Sequence, residues 1–354
     1  MGLNRRKLLF SLPGLHGWAR ATPSGVTFPH DFGAHPDLRT EWWYVTGSIG
    51  DGRRTWGFQV TFFRSRTGID PAHPSRFAAS QLVFGHAALT DLDAGRQVHD
   101  QRVARAGFGA AQAATGDTAV VLRDWRLARS GPVDRGRYTT RVASASAGFT
   151  LDLTLDATQP PLLQGDQGLS RKSADGRQFT HYYSEPQLAV SGTLTRQGRA
   201  VAVTGRAWLD HEWGNALVAG DVMGWDWTGM NLDDGSALTA FRLRRADGST
   251  AHAGGSLRAP GGATRVFAPG EVAFTPGRTW RSPASQATYP VAWTLDTPAG
   301  RHQLDALLDA QEVDSRASTG AWYWEGLSEL RDGNGARVGR GYLEMTGYAS
   351  RLVL

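Results

Sequence analysis

Trp43-Tyr44-Val45-Thr46-Gly47-Ser48-Ile49, closed by Gly50-Asp51-Gly52, is the stretch on which the fold turns. An aromatic, β-branched run meets an Asp-Gly turn, and Thr55 to Arg64 answers it with a second such run, which reads as a β-hairpin. The same grammar returns at Trp225-Asp226-Trp227-Thr228-Gly229-Met230-Asn231-Leu232, with Asp233-Asp234-Gly235 behind it. The two Thr-Gly pairs stand 182 positions apart in a chain of 354 residues. That echo predicts a duplicated unit, with a boundary near residue 190 and domains over 26–190 and 191–354.

Between and beyond these hairpins the pattern stays β. Strand-like runs occur at Ser80–Asp91, Ala119–Leu127, Tyr138–Ala143, Phe149–Leu155, Gln187–Arg196 and Ala200–Trp208. They continue at Val291–Asp296, Ala321–Leu330 and Gly341–Tyr348. Many short strands with close turns point to an all-β protein of sandwiches or barrels. One short helix is expected over the Ala-rich Ala104–Ala114, and a long loop, of the kind that serves as a lid, over Pro160–Thr180.

Composition narrows the function classes. With 40% hydrophobic and 20% charged residues the chain is globular, and no stretch approaches the roughly 20 apolar residues of a membrane-spanning helix. Four of the net +5 charges come from Arg5, Arg6, Lys7 and Arg20 in residues 1–21, which hold no acid. The remainder is nearly neutral, so nucleic acid is not an expected partner. Paired arginines before a weakly apolar run, ending at Ala19-Arg20-Ala21, predict a twin-arginine-like signal peptide over residues 1–21 and a periplasmic or secreted protein. Positive charge is otherwise almost all arginine, the lysines being Lys7 and Lys172 alone. With no cysteine there is no disulfide, thiolate metal site or cysteine nucleophile. There is no Gly-x-Ser-x-Gly elbow and no Gly-rich nucleotide loop, and His211-Glu212 lacks a second histidine at helical zinc spacing. No metal and no organic cofactor is expected.

The most pointed polar cluster is Asp210-His211-Glu212-Trp213-Gly214, which follows the run Ala200–Leu209. On a strand, Asp210 and Glu212 share one face and His211 takes the other. Burial beside indoles raises a carboxyl into the range of a neutral-pH proton donor. The same residues also suit a turn with a satisfied histidine. Glu41-Trp42-Trp43-Tyr44 and Trp322-Tyr323-Trp324-Glu325-Gly326 each set aromatics beside an acid. Their rings fill barrel interiors or, in a chain with thirteen tryptophans, face a lipophilic or cationic ligand. His86, in the apolar run Ser80–Asp91, is a further ligand-binding candidate.

At these residues the sequence resembles the AttH/carotenoid 1,2-hydratase family. The likeness is carried by Glu41-Trp42-Trp43-Tyr44, Gly57–Arg64, Ser80–Asp91, His181-Tyr182-Tyr183-Ser184 and Asp210-His211-Glu212-Trp213-Gly214. Trp225-Asp226-Trp227-Thr228-Gly229 and Tyr323-Trp324-Glu325-Gly326 extend it. The resemblance implies two tandem lipocalin-like (calycin) β-barrel domains. It also implies hydratase or related chemistry, and for some exported members an ABC transporter permease as partner. The His and Trp that carotenoid hydratases place two apart carry over onto His211 and Trp213. Their Tyr and Asp on a later strand have no counterpart in Ser236–Arg242.

The expectation is therefore an exported hydratase (a hydro-lyase) acting on a lipophilic alkene or isoprenoid. Asp210 or Glu212 would be its acid and His211 its base or orienter, with Trp213, Trp225 and Trp227 as a π wall. Glu41, Trp42, Trp43, Tyr44, His86, Tyr323, Trp324 and Glu325 complete the expected ligand-binding set. A non-catalytic carrier of a hydrophobic ligand fits the same residues, and a hydrolase is the third reading.

Overall fold

The computed structural model describes residues 25–215 and 220–351, so the leader expected over residues 1–21 lies outside the described residues. Three single-turn 3-10 helices apart, every regular element among the described residues is a strand. The strands form two large antiparallel sheets, thirteen strands between Thr40 and Gly214 and ten between Val222 and Thr346, with one small hairpin beside them.

Both sheets run in the same order. The first strand of each (Thr40–Gly50; Val222–Leu232) sits mid-sheet. Three strands step away on one side: Thr55–Arg66, Gln81–Asp91 and Arg96–Arg105 in the first sheet, Ala237–Arg245, Thr250–Arg258 and Thr264–Phe267 in the second. The last strand of each unit (Arg199–Gly214; Arg337–Thr346) returns to pair with the first on its other side. This closing strand corrects the expected boundary. The change of sheet falls between Gly214 and Val222 rather than near 190, because cutting at 190 would strip the first strand of its partner and expose an unpaired edge.

Each sheet rolls around its own core. A Cβ placed on Gly85 would lie 3.1 Å from Leu122 and 3.3 Å from Trp125, so the outlying strands curl back onto each other. In the second sheet the Arg242 guanidinium lies 4.8 Å from the Trp293 ring across the interior. Strand pleating sorts the side chains. From Thr40–Gly50, Trp43, Val45 and Ile49 enter the first core, whereas Trp42 and Tyr44 join a separate cluster with Trp208, Trp225, Trp227 and Tyr342. That cluster is the seam where the outer walls of the two barrels meet. Buried rings carry about 150–250 Å² each, worth several kcal/mol apiece at about 25 cal/mol per Å². Polar ties lock the seam further. Gln187, at a β-bulge with φ +58°, donates its backbone N–H to Asn231 Oδ1 at 2.7 Å and its side-chain Nε2 to the carbonyls of Leu232 and Ser236.

Two local expectations change. Ala104–Ala114 is not helical: the strand Arg96–Arg105 ends there, Gly107 and Gly109 take positive φ, and Ala111–Ala113 starts a new strand. The stretch Pro160–Thr180 is not bare loop either. Leu162–Leu163 and Leu169–Arg171 pin it to the strand Phe179–Arg196.

Candidate functional site

The seam opens into a cavity at one end. Its wall on the first barrel is made by Thr40, Trp42 and Tyr44 with Thr61 and Phe63, and by Asp210 and Glu212 from the closing strand. The second barrel supplies Trp225, Trp227, Phe241, Tyr323 and Glu344. Pleating explains the selection: every one of these side chains is an outward-facing residue of its strand, in a place where outward means toward the other barrel.

Asp210 and Glu212 do share this face, as alternation requires. Asp210 is buried, and its Oδ1 accepts from Ser184 Oγ at 2.5 Å and Trp208 Nε1 at 2.7 Å. Burial nevertheless outweighs those hydrogen bonds and pushes its carboxyl up to about 7. Glu344, partly buried on the opposing barrel, is likewise pushed up to about 7, by burial first and then by the charges of Asp210 and Glu212. Glu212 is paired differently. Lys172 Nζ lies 2.7 Å from its Oε1, which also accepts from Thr180 Oγ1. Lys172 arrives from the strapped segment 160–180, with its ammonium 4.8 Å from the Phe241 ring. The cavity thus holds two carboxyls poised near neutrality beside one buried ion pair.

His86 and Tyr323 line the cavity too, but as a bridge. His86 Nδ1 meets Tyr323 Oη at 2.9 Å and its Nε2 meets Ser318 Oγ at 2.8 Å. Burial drops His86 to about 3, so it is neutral at physiological pH. Gln59 Nε2 donates to Tyr323 Oη at 2.9 Å, and the Tyr44 hydroxyl donates to the fully buried Glu325. Burial, then the charge of Glu344, raise Glu325 well above the carboxylate range.

His211 and Trp213 fall on the other side of the same strand. His211 Nε2 contacts Glu41 Oε1 at 2.8 Å, its Nδ1 contacts Tyr183 Oη at 3.2 Å, and its ring stacks on Trp43 at 4.6 Å. Glu41 also accepts from His35 Nδ1 at 2.7 Å and from Arg64 Nε at 2.8 Å. Burial alone would raise Glu41, but these donors hold it well below the carboxylate range. Trp213 stacks on the His35 ring at 4.0 Å. This network fills the first barrel's interior. It corrects the expectation of one catalytic set: a single strand cannot aim Asp210 and His211 into the same pocket. Trp324 is also off the cavity, in the second core, with Nε1 bonded to the Asp309 carbonyl.

The donor atoms of His35, Glu41 and His211 lie within 4.8 Å of one another, as a metal would require. Glu41 is held by Arg64 Nε and the His35 backbone N–H as well as by these two imidazoles, whose nitrogens facing it are the same atoms a metal would take.

Sequence reasoning missed Glu344, Lys172 and Tyr182, which lines the cavity and accepts from Trp227 Nε1 at 3.2 Å. Glu344 stood in a run read only as strand. Lys172 carried a signal in its rarity, as the one lysine of the described residues in an arginine-rich chain.

The profile of AttH-like proteins matches residues 20–348. A crystal structure of a candidate AttH protein from Nitrosomonas europaea is similar at 47% identity and TM-score 0.84, covering 92% of this chain and 98% of its own. Kievitone hydratase of Nectria haematococca shares the fold, with TM-score 0.62 at 18% identity over 87% of this chain and 89% of its own. Among curated proteins, kievitone hydratase of Fusarium solani subsp. phaseoli is 26% identical over 49% of each chain. The dehydratase asqC of Emericella nidulans is 25% identical over 53% of this chain and 54% of its own. The chain spans about half the length of these curated relatives. The match along nearly the whole chain and the two lipocalin-like barrels agree: the chain belongs to the AttH-like family.

Proposed function

We propose that the protein adds water to a carbon–carbon double bond of a lipophilic molecule held between the two barrels, or forms such a bond by removing water from the corresponding alcohol. The observation that carries this reading is the pair Asp210 and Glu344, each pushed up to about 7, opening onto a cavity walled by Trp42, Trp225 and Trp227. Both carboxyls titrate near 7 and Glu344 feels the charge of Asp210, so near neutrality the site holds one protonated and one ionised member, an acid and a base together. The protonated member delivers its proton to the alkene carbon. The resulting tertiary cation faces indole rings that stabilise positive charge. Water adds to the cation, and the ionised member takes the surplus proton, so the shared proton is restored at the end of the cycle. Dehydration is the same path reversed. The hydratase and dehydratase among its relatives support this class of chemistry.

The cavity encloses about 100 Å³, against roughly 10–15 Å³ for one water. It therefore takes a ring or one end of a longer lipophile, with the rest leaving through the mouth. The twin-arginine-like residues 1–21 support export, and work beside a transporter permease belongs to the same proposal.

The test incubates the protein with an isoprenoid and lipid extract in oxygen-18 water and follows products that gain one labelled water. Labelled product from wild type that disappears in both Asp210→Asn and Glu344→Gln supports the reading. Turnover that survives both changes rejects the carboxyl pair. A carrier is the second reading, favoured by the fact that His86, Tyr323 and Glu212 are already occupied by protein partners. A carrier would bind its lipid equally well with either substitution and yield no labelled product.

A further inference from the structure

Six large apolar side chains stand exposed among the described residues, and four belong to one corner of the first barrel: Ile69, Phe77, Val103 and Phe108. Phe77 is 74% and Phe108 56% exposed, yet the two rings stack on each other at 5.6 Å. The Arg105 guanidinium lies over both, 4.1 Å from Phe108 and 5.4 Å from Phe77, and Arg76 is 5.9 Å from Phe108. The corner is held in shape. Arg105 Nη1 donates to the Phe77 carbonyl at 2.9 Å, and Thr67 closes the base of the loop through Ser80 and Ala79.

This corner leads to the cavity. The loop carrying Phe77 leaves the strand Thr55–Arg66 at the end where Phe63 lines the cavity. Phe84, on the neighbouring strand, stacks on Phe63 at 4.7 Å, and Phe63 in turn lies 5.1 Å from His86 on the cavity wall. Val103 sits directly opposite Phe84 in the sheet register, and Arg105 directly opposite Leu82. An apolar track therefore runs from the exposed rings along the outer face of the sheet into the site.

We infer that this corner docks on an anionic lipid bilayer, so that a lipophilic ligand passes between membrane and cavity without crossing bulk water. The inference rests on the cavity taking a lipophile, as proposed above. Aromatic rings settle at the acyl–headgroup boundary, and arginines beside them meet lipid phosphates. Two part-exposed rings offer at most a few hundred Å². That falls short of the roughly 800 Å² per partner that a stable protein interface buries, whereas membrane docking gains from each ring separately. A second copy of the chain is accordingly the weaker occupant.

The test is co-sedimentation of the full chain with vesicles of phosphatidylcholine alone or mixed with phosphatidylglycerol, with no substrate present. Wild type is expected to bind the anionic vesicles at least tenfold more tightly than neutral ones, and binding is expected to weaken with salt. The double change Phe77→Ala, Phe108→Ala is expected to lower that binding at least tenfold at an unchanged melting temperature. The basic residues 5–7 are common to both proteins, so the difference between them reads the corner. Equal binding by the double variant, or no preference for the anionic vesicles, overturns the inference. So does a wild-type dimer that becomes monomeric in the double variant, since the corner would then be a protein contact. Hydration of detergent-dispersed substrate is expected to be unchanged in the double variant, so membrane docking and catalysis fail independently.

Discussion

Asp210 and His211 are neighbours in sequence and strangers in space. The peptide bond between them puts one in the seam between the barrels and the other in the core of the first. Their substitutions should therefore fail in different ways. Asp210→Asn and Glu344→Gln are each expected to lower turnover about 10²- to 10⁴-fold, the usual range for loss of a positioned acid or base. Since both carboxyls lie near 7, the wild-type rate should form a bell centred near that pH and lose one limb in either variant; a flat wild-type profile counts against the pair. His211→Ala instead removes one donor from the buried Glu41 carboxylate; burial lowers His211, so the bond lost runs from a neutral imidazole to a charged acceptor, at a cost of about 1.5–3 kcal/mol. Urea unfolding should show that loss, while the folded fraction keeps turnover within about tenfold. A fully folded but inactive His211→Ala protein would give His211 a direct role. The motif Asp210-His211-Glu212 stood out in the sequence as a polar cluster, and its alternation predicted the split between the two faces. Which face met a cavity was not legible, because that depends on a second sheet. Glu344 was hidden for the same reason: an acid on an amphipathic strand reads as solvent-facing until another barrel covers it.

At the level of strands, the repeated order of the two sheets was readable from the echoed hairpins, but the echo itself has the wrong register. Trp43 enters the first core, whereas Trp225, 182 positions on, faces the cavity. A one-residue offset flips a strand's faces, so the hairpin grammar repeats while the residue-by-residue match does not. The boundary was misplaced because a closing strand carries no label in sequence; Arg199–Gly214 looks like the start of something new until its hydrogen bonds to Thr40–Gly50 are seen. One bulge ties the units together. Gln187 holds a left-handed backbone, which costs a non-glycine residue about 1–2 kcal/mol, and in return its backbone and side chain reach Asn231, Leu232 and Ser236. Gln187→Ala keeps the strained backbone and loses the side-chain bonds, so it should cost about 2–3 kcal/mol. Gln187→Gly loses the same bonds but relaxes the backbone, and should be about 1 kcal/mol less damaging than alanine. Equal stabilities for the two variants in urea titrations would show that the left-handed backbone carries no strain.

For the whole molecule, the seam is an extended wall of rings and buried polar ties rather than a linker between beads. Trp208, Trp227, Leu327 and Tyr342 are buried there, and Tyr44–Glu325, Gln59–Tyr323 and Thr90–Gln311 hydrogen bonds cross it. Separating the barrels would strand these groups, so calorimetry should show one unfolding transition whose van't Hoff and calorimetric enthalpies agree. The same burial sets a pH dependence. Asp210, Glu344 and Glu185 are all raised to about 7, so the folded chain holds protons that the unfolded chain has released above about pH 4. Stability from these groups is present at low pH and lost as pH rises through about 7. His86, lowered from 6.5 to about 3, works the other way, as do His99, His211, His252 and His302, all lowered by burial, and their effect fades as the unfolded histidines become neutral above about pH 6.5. Above that point the carboxyls dominate, joined by His35. Burial lowers His35, but its bonds to Asp31 and Glu41 outweigh that and raise it, so it too sheds stability as pH rises. The melting temperature should therefore fall between pH 6.5 and 8. In Asp210→Asn, Glu344→Gln the fall should be shallower, because two of the responsible protons are gone. A wild-type melting temperature that rises over this interval would mean that the seam carboxyls are ionised in the folded protein, and the acid–base assignment would go with them.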